Sequence, residues 1–338
     1  MSTVPPGEFI AQATAPAGTF DGGTGPERPR REIVSRSPGR LAWERFKSDK
    51  KTVVAAIVVG LYILLAILAP ILVGAKVLDP LTTHPNLIND LGLPTFATSA
   101  AHPFGVEPGT GRDVLSRVWF GLTFSLFISA VAAVCSVVIG VVLGIIAGLS
   151  GGWVDTLIGR LIDLVLSFPQ TLMLLALSSV IVAWLTGTLH VPAGNTAQAT
   201  YVILVLAVFG WPPVARVVRG QVLSLREREF IDAARLLGAG PARLYFREVL
   251  PNLWAPILVQ FTLILPAYVS AEAALSYLSI SIQPPTPTLG NILKYSIQFA
   301  SSDLVFFLTP AVLLVLIVVS FNLLGDGLRD ALDPKSTR

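Results

Sequence analysis

Residues 118–154 and 164–215 contain no Asp, Glu, Lys or Arg. An uncharged apolar run of about eighteen residues already matches the hydrocarbon thickness of a bilayer, and both stretches exceed it. In hydrocarbon every backbone polar group must be satisfied within its own segment or in a closed barrel, so few fold classes remain. Barrel strands would read as short segments of alternating character, whereas these runs are continuous; an all-α, polytopic membrane protein is predicted. A chain with 53% hydrophobic residues, 13% charged residues and a mean hydropathy of +0.71 could not cover a 338-residue globular surface with polar groups.

Six spans are expected near 52–73, 122–149, 163–186, 200–222, 253–280 and 304–325. Sorting the basic residues onto this frame places 20 of 24 Lys and Arg in the N-terminal segment, the second-to-third connection, the 216–247 region and the C-terminus. Lys76, Arg112, Arg117 and Lys294 fall on the other side. By the positive-inside rule both termini and the 224–251 insert are cytoplasmic, and 74–120 is expected as an extracytoplasmic loop. The basic balance therefore reports topology, not nucleic-acid binding.

Residues 1–38 are rich in Pro, Gly, Ala and Thr without apolar periodicity and read as a disordered tail, as do 335–338. Residues 39–51 interleave Leu41, Trp43 and Phe46 with basic residues, as in a helix lying at the headgroup level; a plain charged flank fits equally well. No cleavable signal peptide is expected, because the first span follows some 50 polar residues and is too long for one. The transmembrane domain is taken as 52–334.

Catalytic motifs fail on context. Gly148, Ser150 and Gly152 satisfy G-x-S-x-G, but Ser150 ends a transmembrane helix while His84, His102 and His190 are predicted across the bilayer. Those histidines lack metal-ligand spacing. Cys135 is alone, and packing is its expected role. There is no G-x-x-x-x-G-K-[ST] pattern, so if ATP drives this protein another chain binds it. No catalytic residue, metal or cofactor is assigned.

Small residues recur every fourth position at Ala132, Ser136, Gly140, Gly144 and Gly148, a stripe that lets another backbone approach closely. Whether that neighbour lies in this chain or in a partner is open. Within the fifth span Glu272, with Ser276 and Gln260, marks either a translocation path or a structural hydrogen-bond anchor. Asp163 reads as interfacial.

The insert itself has Phe230, Ile231, Ala234 and Leu237 at helical spacing, with charges on the other faces. Gly238 suits a C-terminal stop and Gly240-Pro241 the start of a second helix; Pro251 then interrupts before the fifth span. Two short helices around a bend would make a knob able to dock in a groove, or an ordinary surface helix pair.

The run Asp232-Ala233-Ala234, Gly238 and Leu250-Pro251 is similar to the EAA loop of ABC importer permeases, E-A-A-x3-G-x9-I-x-L-P. Asp232 stands for the leading Glu, and Glu248 replaces the Ile, which leaves the packing of the second short helix open. His102-Pro103-Phe104-Gly105, Gly111-Arg112-Asp113-Val114-Leu115-Ser116-Arg117, Ala271-Glu272-Ala273-Ala274-Leu275-Ser276, Gln283-Pro284-Pro285-Thr286-Pro287 and Phe321-Asn322-Leu323-Leu324-Gly325-Asp326-Gly327-Leu328-Arg329-Asp330 resemble motifs of the C-type permease subunit of dipeptide and oligopeptide importers, in order over roughly 40–334.

That resemblance implies a type I ABC importer permease fold with a cytoplasmic coupling helix, in a bacterial plasma (inner) membrane. It implies a homologous second permease, two ATPase subunits that bind ATP and Mg, an extracytoplasmic substrate-binding protein and a peptide substrate. The chain itself would not be an enzyme. Coupling to the ATPase would fall to Arg228, Glu229, Asp232, Ala233, Ala234, Arg235, Gly238 and Pro251. An importer for another solute, such as a nickel chelate, is the main alternative; a stand-alone channel or secondary transporter would not need the knob.

Overall fold

The computed structural model describes residues 38–96 and 98–332. The tail expected over 1–38 lies outside the described residues except for its last position, as does everything after Leu332. Helices dominate: α1 (Pro38–Ser48), α2 (Lys50–Gly74), α3 (Val114–Ser150), α4 (Gly152–Ser167), α5 (Gln170–Ala176), α6 (Ser178–Gly187), α7 (Asn195–Leu225), α8 (Glu229–Leu236), α9 (Pro241–Arg243), α10 (Trp254–Tyr277), α11 (Leu289–Ser296) and α12 (Leu304–Leu332). Extended pairing among the described residues is limited to two isolated bridges, Ile88 with Pro94 and Val106 with Asp113.

Among the described residues five helices, α2, α3, α7, α10 and α12, are long and apolar enough to cross a membrane, and the bent pair α4–α5 makes a sixth if it is counted as one span. α2 and α3 start before their hydropathic boundaries, and a polar side chain caps each start. The Asp113 carboxylate accepts from the Ser116 N–H at 2.8 Å and starts α3 well before residue 122. Likewise Asp49 caps α2 by accepting from the Lys51 N–H at 3.1 Å, so Lys50 and Lys51 open that helix instead of ending an interfacial one over 39–51.

The predicted third span, 163–186, is not a continuous helix. α4 and α5 meet at a 73° bend, and α6 follows as a separate helix. Pro169 has no N–H to donate and disfavours helical geometry in the residue before it; Phe168 accordingly adopts φ −88°, ψ 128°. Tyr201 of α7 compensates by donating its hydroxyl to the Leu174 carbonyl inside the broken region.

The core is the pairing of α3 with α7, flanked by α10. The most apolar stretch of α7 is 61% buried and that of α3 50%, against 22% for α2 and 28% for α12, so the last two present most of their apolar surface outward, to lipid. The small-residue stripe is the seam of this pairing, and its neighbour is in the same chain. A Cβ on Gly140 would lie 2.6 Å from Val214 Cβ, one on Gly144 2.8 Å from the Ala215 carbonyl oxygen, and one on Gly148 2.6 Å from Val222 Cγ1. Ser136 continues the seam, 2.6 Å from the Tyr268 hydroxyl, which also donates to the Leu206 carbonyl at 2.9 Å. Gly210 leaves the space that the Tyr268 ring end occupies. The two glycines of the terminal motif divide their work: Gly325 packs on Thr262 and Leu263 of α10, Gly327 on Thr52 of α2.

Candidate functional site

The insert folds as a knob at the end of α7. α8 opens on Glu229, with Asp232 in the same turn, where carboxylates meet the positive end of the helix dipole; Arg235 sits in the last turn. Gly238 then takes φ +79°, its N–H reaching the Arg235 carbonyl at 2.9 Å while the Ala239 N–H reaches that of Ala234 at 3.0 Å. These two bonds form the Schellman closure that a left-handed glycine permits. Gly240 leads into Pro241 at the first position of α9, whose chain continues as a π-helical turn over Leu244–Val249 and a 3₁₀ turn over Leu250–Asn252 containing Pro251.

One side of the knob is bound to the bundle. Ile231, Val249 and Leu253 are fully buried in a cluster with Val137, Val141 and Ile145 of α3 and Val214, Val218 and Val222 of α7. Ala234 is also buried, so of the alanine pair only Ala233 faces outward. Arg226 donates to the Gly148 carbonyl at 3.3 Å, and Ser150 lies 3.4 Å from the Tyr245 hydroxyl. Glu248 pairs with Arg243 at 3.6 Å while the next residue, Val249, takes the buried position. The wide π-helical turn allows that placement, and the departure at 248 is thereby accommodated.

The other side is apolar and exposed. Leu236 (89% exposed), Leu237 (79%) and Phe246 (67%) stand out beside the outward charges Arg228, Asp232 and Arg235, the last two paired at 3.3 Å. The exposed apolar set thus differs from the helical stripe read in the sequence: Ile231 and Ala234 of that stripe face the chain itself, and Leu236 joins the free face.

Beyond the knob, α4 is tied to α7 by two ion pairs. Arg219 clasps Asp155 with bonds of 2.5 and 2.7 Å, and Arg216 reaches Asp163 at 2.9 Å.

At the other end of α10, Glu272 is fully buried and its carboxylate accepts from Ser125 of α3 at 2.8 Å, Ser276 at 2.7 Å and Ser281 at 3.1 Å. Ser276 in turn lies 3.0 Å from the Thr288 hydroxyl that caps α11, and the Leu289 N–H donates to Ser125 at 3.1 Å. Glu272 and Ser276 thus join α3, α10 and α11 through hydrogen bonds, and Ser276 also borders a cleft beside α11. Gln260 differs from both. It is half-buried and borders two clefts, one against α7 and α12 and one against α7 and the α4–α5 break.

Motifs far apart in the chain meet at this end of α10. Arg117 donates to the carbonyls of Pro80 at 3.1 Å and Pro285 at 3.2 Å, so the Gly111–Arg117 and Gln283–Pro287 runs form one structure. Asn291 holds the second run by donating to the carbonyls of Ile282 at 3.2 Å and Thr286 at 2.9 Å. Gly290 lies against Ala273, where a Cβ would meet backbone at 2.6 Å. His102 pairs with Asp113 at 2.9 Å. Sequence reasoning missed Glu107 of this group: a lone loop carboxylate gives no signal until the fold buries it beside Arg117, 3.5 Å away.

Two family models match the chain. Residues 140–338 match the binding-protein-dependent transport system inner membrane component, and residues 37–89 the N-terminal transmembrane domain of oligopeptide transport permease C. Among relatives, the dipeptide transport system permease protein DppC of Alkalihalophilus pseudofirmus is 36% identical over 307 residues, 91% of this chain and 93% of its own length. The oligopeptide transport system permease protein OppC of Bacillus subtilis is 36% identical over 86% of this chain and 88% of its own. The glutathione transport system permease protein GsiD of Shigella flexneri is 37% identical over 89% and 91%. A chain of the MetNI methionine ABC transporter, solved in inward-facing form, shares the fold with a TM-score of 0.50 at 20% identity, covering 65% of this chain and 97% of that one.

Proposed function

The chain belongs to the family of binding-protein-dependent transport system inner membrane components, and from that premise we propose that it is a permease subunit of an ATP-driven importer of dipeptides or oligopeptides. It forms half of a translocation pathway with a homologous second permease, above two ATPase subunits that bind and hydrolyse ATP, and receives peptide from an extracytoplasmic binding protein. The protein is multi-pass, and the distribution of Lys and Arg favours a plasma (inner) membrane orientation with both termini and the knob cytoplasmic.

The observation that carries this reading is the two-sided knob. Its inner side is buried on α3 and α7 through Ile231, Val249 and Leu253, and its outer side presents Leu236, Leu237 and Phe246 beside Arg228, Asp232 and Arg235. An exposed apolar patch rimmed by charge is what a partner's cleft recognises. Because the inner side is fixed to packed helices, closure of an ATPase dimer beneath it would move α3 and α7 as bodies and alternate access to the pathway. Ala233 allows close approach and Gly238 sets the bend; Glu229 and Pro251 fix the ends of the knob.

Affinity purification of the tagged chain in mild detergent, with mass spectrometry and a peptide-stimulated ATPase assay, tests this. Recovery of a second permease and ATPase subunits, with turnover rising on addition of binding protein and peptide, is the expected result. A chain that comes out alone removes the coupling role. ATPase recovery without a peptide response leaves coupling standing and turns the cargo toward another solute; a relative in glutathione transport already widens that class.

A further inference from the structure

At the end of α3 away from the knob, a cleft of about 300 Å³ opens between the loop preceding α3, the end of α10 and α11. Its charged groups do not balance. Arg112, Arg117 and Lys294 line it together with a single carboxylate, Glu107. Arg117 and Glu107 are both buried and lie 3.5 Å apart, and Glu107 also accepts from the Thr110 hydroxyl at 2.6 Å. The nearby Asp113 is already engaged with His102 and the cap of α3.

Two cations are left underused. The Arg112 guanidinium reaches Glu107 only at 3.8 Å and makes no side-chain hydrogen bond among the described residues; its Nε is buried without a hydrogen-bond partner, and that of Arg117 meets Glu107 only as an ion pair at 3.5 Å. Lys294 donates to the neutral Ser279 hydroxyl and has no carboxylate partner among the described residues. A buried guanidinium donor without an acceptor is costly, and a planar fork beside an ammonium is matched in shape and charge by a carboxylate. Arg117 of the Arg117–Glu107 pair is held in addition by the Pro80 and Pro285 carbonyls.

We propose that this cleft binds a carboxylate through Arg112 and Lys294, and that in the working importer the ligand is the free carboxylate of a peptide. The second half rests on the peptide-importer reading above; the carboxylate chemistry does not.

The test uses the purified whole complex without binding protein, and reads the shift of its melting midpoint with trialanine, trialanine C-terminal amide, sodium acetate or sodium chloride. Trialanine and acetate are expected to raise the midpoint, with the amide and chloride without effect. Lys294→Gln, which leaves the buried Arg117–Glu107 pair intact, is expected to weaken the apparent Kd for trialanine about tenfold or more, the loss of one charge-assisted contact. Arg112→Gln should do the same, and the ligand-free midpoint of each variant serves as the folding control. An acetate shift sensitive to Lys294 with none from trialanine keeps the carboxylate site and overturns the peptide assignment. Equal shifts from peptide and amide, from acetate and chloride, or in wild type and Lys294→Gln, overturn the site itself. Trialanine uptake by the wild-type complex, measured separately, judges the importer reading.

Discussion

Ser125 of α3 donates its hydroxyl to the Glu272 carboxylate of α10 at 2.8 Å, in a site from which both residues' side chains are wholly excluded from solvent. The bond crosses between two spanning helices, and with Ser276 and Ser281 it closes three hydroxyls around one carboxyl group. A polar group of this kind inside a bundle is a fixed joint, because separating the helices would leave every member unpaired in apolar surroundings.

Glu272→Ala is therefore expected to cost about 3 kcal/mol, combining unpaired hydroxyls with a cavity. Glu272→Gln, which keeps an acceptor and the volume, should cost less than half of that. Melting midpoints of the detergent-purified complex measure both. An undiminished midpoint in Glu272→Ala would remove the anchoring role.

The α3–α7 seam should not tolerate a single methyl. Gly148→Ala would drive Cβ to 2.6 Å from Val222 Cγ1 and is expected to destabilise by about 1–3 kcal/mol. Gly220 of α7 supplies the control, since nothing lies within 4 Å of its Cβ position. Gly220→Ala should stabilise by up to about 1 kcal/mol through helix propensity. The sign difference between the two variants, read from the same unfolding assay, is the check.

Adjacent alanines of the knob are expected to behave oppositely. Ala233→Glu places a charge on the outward face and should leave the folded chain intact while lowering the ratio of solute transported to ATP hydrolysed. Ala234→Glu forces a carboxylate into the buried side and should reduce the amount of folded protein. Gly238→Val, at φ +79°, should cost about 1–2 kcal/mol of strain, whereas Gly238→Asn is expected to be milder because Asn tolerates the left-handed region. Proteoliposome uptake and ATPase assays on each variant separate coupling from folding.

Leu236→Ser with Phe246→Ser removes exposed apolar surface and no internal contact of the bundle core. Thermal stability should be unchanged or slightly improved, while the yield of ATPase subunits in a pull-down falls severalfold. Full ATPase recovery would place the docking face elsewhere on the knob.

The chain's own residues made the membrane class, the five continuous spans and the existence of the knob legible, since long uncharged runs and a Gly-Ala-Gly-Pro bend act through local energetics. At 163–186 hydropathy marked an apolar stretch but not its break, because an apolar run reports solvent preference and not helix continuity; Pro169 bends α4 against α5 without changing the hydropathy. The glycine stripe announced a close approach and could not name α7 as the partner. Ile231 and Ala234 read as a free docking stripe for the same reason: periodicity marks an apolar face without saying what covers it.

By itself, then, the sequence determined which segments leave water and that a bend at Gly238 parts two short helices of the insert, both of which depend on neighbours within a few positions. Only the tertiary structure decided that Glu272 bonds to Ser125 of a second spanning helix, that Arg117 meets Pro285 across 168 positions of chain, and that Leu236 rather than Ala234 faces outward. Those outcomes depend on which surfaces remain after the helices have packed, and packing selects among pairings by shape and by the need to satisfy every buried polar group.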